Sequence, residues 1–481
     1  MVSEGSSDEY LIFHHEKIGF LDILSLIFLR RKLTSYKFVE ASKATTLKFN
    51  NVHADWVSAL ILLLQKFLGF IKKPLKCTGI AVEYLLNLVS INGGIWSLIK
   101  NIATFSVKWP TPNSKEYRSF IGHIDGRTEL HKIVPVSSYF QLADQEIGLN
   151  EDINHTDLFA MAAKLAYENE AYIREVVTKS WKMNFVAYFD CWNESLQAKT
   201  TQAFMFTDKL LNTPLIIIAF RGTQPFDADD WSTDIDLSFL SLGKMGNVHA
   251  GFLHALGFES SPTKRSTELE DQTQDLVRPL AYNTIRDSLK AQLLVHQNAK
   301  IIITGHSLGG ALAVLFPALL EYNQETTLLN SMQAVITFGQ PRVGDETFAK
   351  YMESTAWLNY NRIVYRFDIV PRIPPDYYPI SLFKHFGNCY YYDGWYKFEK
   401  VEEVPNPNYL DLTFFPTMYA NAWGDLIKGI QMGRTHGEEY KEGLVSIMFR
   451  AFGLIIPGVA SHSPRDYVNG ARLGQTSYKK L

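Results

Sequence analysis

Cysteine is scarce in this chain. Cys77, Cys191 and Cys389 are too few, odd in number and too scattered for a disulfide framework, so a reducing compartment is the simpler expectation. Charge of one sign is missing as well: 47 Lys and Arg against 50 Asp and Glu leave a net charge of −3, which gives no bulk attraction to nucleic acid. No zinc-type Cys/His spacing and no Walker-type glycine loop occur. The first ten residues, Met-Val-Ser-Glu-Gly-Ser-Ser-Asp-Glu-Tyr, are acidic and polar where a secretory signal has a basic start and an apolar core, so secretion is not expected. The glycosylation-like Asn154-His155-Thr156 and Asn193-Glu194-Ser195 are then read as coincidence. A clean bilayer span is also lacking. Residues 56–71 are apolar but number 16 and include Gln65 and Lys66, short of the ~20 a span needs, while 80–105 carries Glu83, Asn87, Asn92 and Lys100.

What the chain does have is apolar surface to place, with 46% hydrophobic residues, 31 Phe and 24 Tyr. Its 481 residues suffice for one α/β domain of about 300 residues and an additional region. Residues 1–110 stand apart: 13 Lys and Arg against 8 Asp and Glu give +5, which leaves −8 for the other 371. Three apolar blocks, 18–29, 56–71 and 80–105, fill that region, the last two separated by Lys72-Lys73-Pro74-Leu75-Lys76. Trp56, Leu60, Leu63, Leu64, Phe67 and Ile71 share one helical face, and such a face beside a basic linker fits a helix lying on a lipid surface. The competing reading is a face packed on the protein's own core. Pro110, Pro112 and Asn113 mark the join between this region, 1–110, and a second one, 111–481.

Chemistry concentrates in residues 300–316. Ile301, Ile302 and Ile303 run without polar alternation, as in a strand buried on both faces of a parallel sheet, and Ala311, Leu312, Ala313 and Leu315 then begin a helical pattern. Between them, Gly305-His306-Ser307-Leu308-Gly309 has the spacing of a nucleophile elbow, whose glycines leave room for a strained serine and close strand–helix packing. Ser307 is therefore a candidate nucleophile. The helix that follows aims unpaired N–H groups and a positive dipole at any oxyanion formed beside it. The bare pattern is weak; the strand before it and the helix after it carry the reading against a serine in an ordinary glycine turn.

Elsewhere, 157–179 has the length and periodicity of one helix, 201–207, 215–220, 333–338 and 362–367 read as strands, and 280–296 as a helix leading into strand 300–304. Residues 262–277 read as an exposed polar loop. The alternation argues an α/β fold with a mainly parallel sheet and helices on its faces. A serine hydroxyl needs a histidine to take its proton and a carboxylate to hold that histidine, and in elbow enzymes the chain order is Ser, acid, His. Asp368, directly after strand 362–367, is best placed; Asp345 is second, and either loop reaches the site. Of the later histidines, His462 lies in a short anchored loop that suits a base, His385 serves equally as a packed structural residue, and His436 reads as solvated.

Phe220-Arg221-Gly222-Thr223, Val248-His249-Ala250-Gly251-Phe252, Gly305-His306-Ser307-Leu308-Gly309-Gly310, Phe338-Gly339-Gln340-Pro341-Arg342-Val343-Gly344 and Asp368-Ile369-Val370-Pro371 occur in this order. In that order they resemble the class 3, fungal-type lipases, and within them the plant oil-body lipases. The resemblance covers about 155–375, more weakly 462–474, and for residues 1–110 only the oil-body group. It implies an α/β-hydrolase fold, a triad of Ser307, Asp368 and His462, and oxyanion-hole N–H groups from Leu308 and Thr223. It also implies a lid at about 224–240 and no metal or organic cofactor. His249 and His306 match family positions and are read as packing or turn residues. Two departures stand out. Phe226-Asp227-Ala228-Asp229-Asp230 is acidic for a lid, and the long interval from Asp368 to His462 makes 400–459 an insertion, either a grip on lipid or added core or a dimer contact.

The expected function is hydrolysis of triacylglycerol at the surface of a lipid droplet, on a membrane-associated protein facing the cytosol. A phospholipid or galactolipid acyl hydrolase is the alternative within the fold, and a non-catalytic droplet coat or tether the alternative outside it. An intact Ser, Asp and His set speaks against the last. Homo-oligomerisation is left open. A base histidine must be neutral, so the rate is expected to fall as pH drops through about 6.5. If the two regions divide the labour, removing residues 1–110 abolishes droplet association and spares hydrolysis of a soluble ester.

Overall fold

Isoleucine runs pair with isoleucine runs at the centre of the molecule: Ile216, Ile217 and Ile218 lie in register beside Ile301, Ile302 and Ile303, all buried. The computed structural model describes residues 9–29, 31–49, 52, 56–130, 156–208, 215–258, 278–355, 357–376 and 382–474. The expected loop 262–277 lies outside them. Among the described residues, the strands are β1 (Tyr10–Phe13), β2 (Val39–Ala41), β3 (Asn184–Asn193), β4 (Ala198–Thr207), β5 (Leu215–Phe220) and β6 (Phe239–Ser241). They continue with β7 (Asn247–His249), β8 (Lys300–His306), β9 (Met332–Phe338), β10 (Tyr360–Tyr365), β11 (Asn388–Tyr392) and β12 (Phe398–Val401).

Eight of these strands form the main sheet in the order β12-β11-β10-β9-β8-β5-β4-β3. Its middle, from β11 to β5, is parallel, and both edges are antiparallel. The sheet is thus mixed, as in α/β-hydrolases. Helices cover both faces, which is why β5 and β8 read as unbroken apolar runs. Ile216, Ile218, Ile301 and Ile303 meet helices Ala281–Val295 and Leu308–Tyr322 on one face; Ile217 and Ile302 meet helices Thr156–Leu165 and Pro464–Leu473 on the other. Burying each such side chain contributes about 1.5–3 kcal/mol before conformational entropy is set against it.

Two expectations on helices are corrected. Residues 157–179 are not one helix: Thr156–Leu165 ends, and Glu170–Glu175 starts afresh because the Asn169 side chain accepts the N–H of Tyr172 at 3.0 Å. Nor does the basic stretch at 72–76 separate two blocks. One helix runs from Trp56 to Ile91 through Pro74, whose carbonyl takes a hydrogen bond from the Thr78 hydroxyl at 2.8 Å. Despite its 36 residues, no helix among those described is long and apolar enough to cross a membrane.

The N-terminal region is joined to the rest through a second, four-stranded sheet, β2-β1-β6-β7. There Tyr10 pairs with Leu240 and Leu11 with Phe239. Leu11, Phe13, Phe38 and Leu62 share one apolar cluster with Leu237, Phe239, Leu382 and Phe383. The insertion is a helical hairpin, Phe415–His436 and Leu444–Phe452, laid beside helix Pro464–Leu473.

Candidate active site

Strand β8 turns into helix Leu308–Tyr322 at Ser307, whose backbone sits at φ 60° and ψ −133°. A left-handed serine costs about 1–3 kcal/mol and persists only where its surroundings hold it. Here the turn is pressed from both sides: a Cβ on Gly305 would come within 2.1 Å of the Gly309 carbonyl oxygen, and one on Gly309 within 2.3 Å of the Phe220 oxygen. Only glycines allow β8, β5 and the helix to approach so closely.

Ser307, His462 and Asp368, which are 61 and 155 residues from the serine in sequence for the acid and the base, form one hydrogen-bonded line. His462 Nε2 lies 2.7 Å from Ser307 Oγ, and His462 Nδ1 lies 2.8 Å from Asp368 Oδ2. An ionised carboxylate only accepts, so Nδ1 carries the ring proton and Nε2 presents a lone pair to the serine hydroxyl. Asp368 is fully buried and otherwise satisfied: its Oδ1 takes the Val370 N–H at 2.9 Å, and its Oδ2 takes the Tyr467 hydroxyl. Burial and the neighbouring Asp368 charge hold the Tyr467 phenol well above its ordinary range, so it remains a donor.

A second layer fixes the histidine. His306 Nε2 faces the His462 carbonyl oxygen at 2.8 Å and must donate to it, which leaves His306 Nδ1 to accept the Tyr167 hydroxyl, also at 2.8 Å. Burial, then proximity to His462, pushes the His306 imidazole well below its usual pKa, so this relay stays neutral. His306 therefore does more than fill a turn. Gly339, at φ 58°, completes the enclosure: a Cβ there would lie 2.7 Å from Asp368 Oδ2 and 3.0 Å from His462 Nδ1.

A family model described as lipase (class 3) matches residues 217–378. Over 98% of its length the chain is 38% identical to the Triacylglycerol lipase OBL1 of Arabidopsis thaliana and 37% identical to that of Nicotiana tabacum, covering 96% of each. The chain belongs to the class 3 lipase family, in its plant oil-body group. A solved Rhizomucor miehei triacylglyceride lipase aligns over 51% of this lipase and 82% of its own chain, at 26% identity and a TM-score of 0.38.

The rival residues have other tasks in this lipase. Asp345 caps helix Glu346–Glu353 by accepting the Phe348 N–H at 2.8 Å. His385 is half-buried and its Nε2 lies 2.7 Å from the Pro371 carbonyl oxygen, bracing the turn after Asp368. His436 is exposed at a helix end. His249 is buried against Phe252, with ring centroids 3.9 Å apart.

Leu308 opens the elbow helix, where the first N–H groups lack intrahelical partners. Thr223 follows β5, and its hydroxyl donates to Asp234 Oδ2 at 2.6 Å. The acidic stretch after it folds into a short helix, Ala228–Asp234, capped by Asp227 and held against the long N-terminal helix. Lys72 pairs with Asp229 at 2.6 Å, Gln65 donates to the Ser232 carbonyl at 3.2 Å, and Phe226 seats on Gly79, where a Cβ would come within 2.4 Å of it. Burial raises the Asp230 carboxyl to about 7 and that of Asp234 to about 8. Residues 239–240 of the expected lid belong instead to β6. Between the long helix and this segment runs a cleft lined by Gly79, Ile80, Phe120, Tyr167, Gln224 and Phe226.

Sequence reading missed Tyr467 and Tyr167. Tyr467 lies in helix Pro464–Leu473 and Tyr167 in the turn just after helix Thr156–Leu165, where the surrounding apolar spacing disguises a phenol aimed at the site; the only signal was a polar end on an aromatic near a motif.

Proposed function

We propose that this lipase hydrolyses triacylglycerol at the surface of a lipid droplet, with Ser307 as nucleophile, His462 as base and Asp368 as the acid that orients it. The observation that carries this reading is the unbroken line from Ser307 Oγ through His462 to the buried Asp368. Ser307 Oγ attacks the acyl carbonyl carbon while its proton passes to His462 Nε2; the imidazolium is stabilised by Asp368, which keeps its own charge. The backbone N–H groups of Leu308 and Thr223 receive the oxyanion. Collapse of the tetrahedral species expels the glyceride alkoxide with the proton from His462. Water, activated by the same histidine, then releases the fatty acid. Tyr467 holds the Asp368 carboxylate in place through its hydroxyl, and His306 fixes the backbone of the base.

Ser307 is only 1% exposed, so substrate must displace something, and 224–238 is the segment above it that we assign as lid. Supporting the lipid surface are apolar side chains turned outward on several helices: Leu60, Leu64, Phe67 and Phe70 on the long helix, Trp96 and Ile99 on the next, and Trp423 and Ile427 on the insertion. Water is a poor covering for so many large apolar side chains, whereas a droplet monolayer accommodates them.

The test is fatty-acid release from emulsified triacylglycerol, beside phospholipid liposomes, by the wild type and by Ser307→Ala. Release from triacylglycerol that drops by roughly 10⁴-fold or more in the variant is expected. Release confined to phospholipid would move the reading to a polar-lipid acyl hydrolase, and release equal in both proteins would leave a coat or tether.

A further inference from the structure

We propose that Asp425, on the first helix of the inserted hairpin, is a positioning residue that ties together the two loops bearing Asp368 and His462; the proposal rests on the triad reading given above. Asp425 is 1% exposed and divides its two oxygens between those loops. Its Oδ2 accepts the hydroxyl of Ser461, the residue directly before His462, at 3.0 Å. Its Oδ1 accepts the Tyr365 hydroxyl at 3.2 Å and is ion-paired with Arg366. Tyr365 closes β10 and Arg366 follows it into the turn that leads to Asp368, with Arg366 itself at φ 47°. Such a backbone needs outside support, and the same helix supplies more of it, since Arg366 Nη2 donates to Asn421 Oδ1 at 2.7 Å.

The rest of the hairpin fastens the helix that follows His462. Arg450 reaches Asp466 at 2.9 Å, and Glu442 bridges Arg450 and Arg465 at 2.6 and 2.9 Å, all of them buried. Asp466 is the neighbour of Tyr467, which holds Asp368. Burying this many charges is a poor way to gain stability, because desolvation offsets most of the attraction. It does fix geometry: each carboxylate here accepts from groups on separate segments, and a shift of either loop breaks more than one bond. The catalytic acid and base are separated by the whole insertion, and among the described residues of that helix Asp425 alone joins Ser461 to Arg366. The insertion is thereby a brace for the triad, as well as a carrier of outward apolar side chains.

The experiment uses the full chain and three readouts: kcat and KM on a soluble short-chain ester, the rate at which a fluorophosphonate phosphonylates Ser307, and Tm. Ser461→Ala removes only the tie to the base loop. Because small displacements of a catalytic group lower rates steeply, kcat and the phosphonylation rate should fall roughly tenfold with KM within about twofold and Tm within a few degrees. Ser461→Thr, which keeps the hydroxyl, should restore most of the rate. Asp425→Asn should cost more, roughly a hundredfold, and lower Tm as well because Arg366 loses its buried counter-charge. Wild-type kcat and phosphonylation in Ser461→Ala would overturn the proposal, as would losses in both variants that match the unfolded fraction and leave the rate per folded molecule unchanged. Wild-type protein inert to the phosphonate, or reacting equally well as Ser307→Ala, would sink the triad reading and the brace with it, a result distinct from either of those.

Discussion

The elbow helix Leu308–Tyr322 and the long helix Trp56–Ile91 are both leucine-rich, and both contain a proline, yet they are used in opposite ways. The first is buried from Leu308 to Leu320. The second buries Val57, Ala59, Ile61 and Leu62 while Leu60, Leu63, Leu64, Phe67 and Phe70 face outward, each at least 40% exposed. A helix that is apolar all round normally lies inside a protein. On the droplet reading proposed above, the same pattern serves two apolar partners at once, the protein on the inner face of the long helix and lipid on the outer. Its inner face also grips the candidate lid, through Lys72, Gln65 and Gly79.

The largest expected effect comes from treating the two regions as separable. Removal of residues 1–110 spares a soluble-ester activity only if the two regions divide the labour, but β1 pairs with β6, and Leu11, Phe13 and Leu62 complete the cluster around Leu237, Phe239 and Phe383. The truncated chain should therefore be insoluble or lack a cooperative melting transition, with no activity on any ester. A soluble truncation that hydrolyses a short-chain ester at a wild-type rate would show that the shared sheet is dispensable.

Within the long helix, adjacent turns should answer differently. Leu62 is fully buried and Leu64 is 43% exposed. Leu62→Ala should cost about 2–5 kcal/mol in chemical denaturation. Leu64→Ser, combined with Leu60→Ser and Phe67→Ser, should leave stability within about 1 kcal/mol and soluble-ester kcat unchanged. The triple variant should lower binding to triacylglycerol emulsions several-fold, a loss read by flotation. Equal flotation of the triple variant and wild type would return that face to some other covering.

The comparison also says what was legible beforehand. The sheet centre and elbow were plain in sequence, because Ile301 to Ile303 and the glycines around Ser307 obey constraints that act over a few residues. Long-range constraints were not. Nothing local distinguishes Tyr467 from any helical tyrosine, or marks Asp425 as the partner of Ser461, since both roles exist only once distant segments meet. The break at Asn169 was missed because the apolar period continues through a residue whose side chain caps a new helix. Pro74 misled in the other direction: proline usually ends a helix, but here the packing of both flanks against the protein keeps it continuous. The acidity of the proposed lid segment looked like a departure from pattern, and the structure gives it a use, with Asp227 as cap, Asp229 as the mate of Lys72 and Asp234 as the acceptor of Thr223.

That last acid sets the smallest of the expected effects. Burial raises the Asp234 carboxyl from its ordinary 3.8 to about 8 in the docked segment, with the hydrogen bond from Thr223 pulling weakly the other way and Asp230 adding to the rise. The docked state therefore holds a proton that an exposed Asp234 would have lost, so across the interval from about 4 to 8 the undocked state binds fewer protons. Docking must weaken as pH rises through that interval and level off above it. One linked proton sets a ceiling of about tenfold per pH unit, and partial hydration of the opened cleft brings the expected change to roughly a few-fold. Hydrogen exchange of the amides at 228–234, corrected for the intrinsic pH dependence of exchange, should show opening that grows from pH 6 to 8 in the wild type. Asp234→Asn keeps the shape without the titration and should flatten that slope, leaving only what Asp230 contributes. An unchanged slope in Asp234→Asn would mean that the long helix alone, through Lys72 and Gln65, decides when the segment lets go.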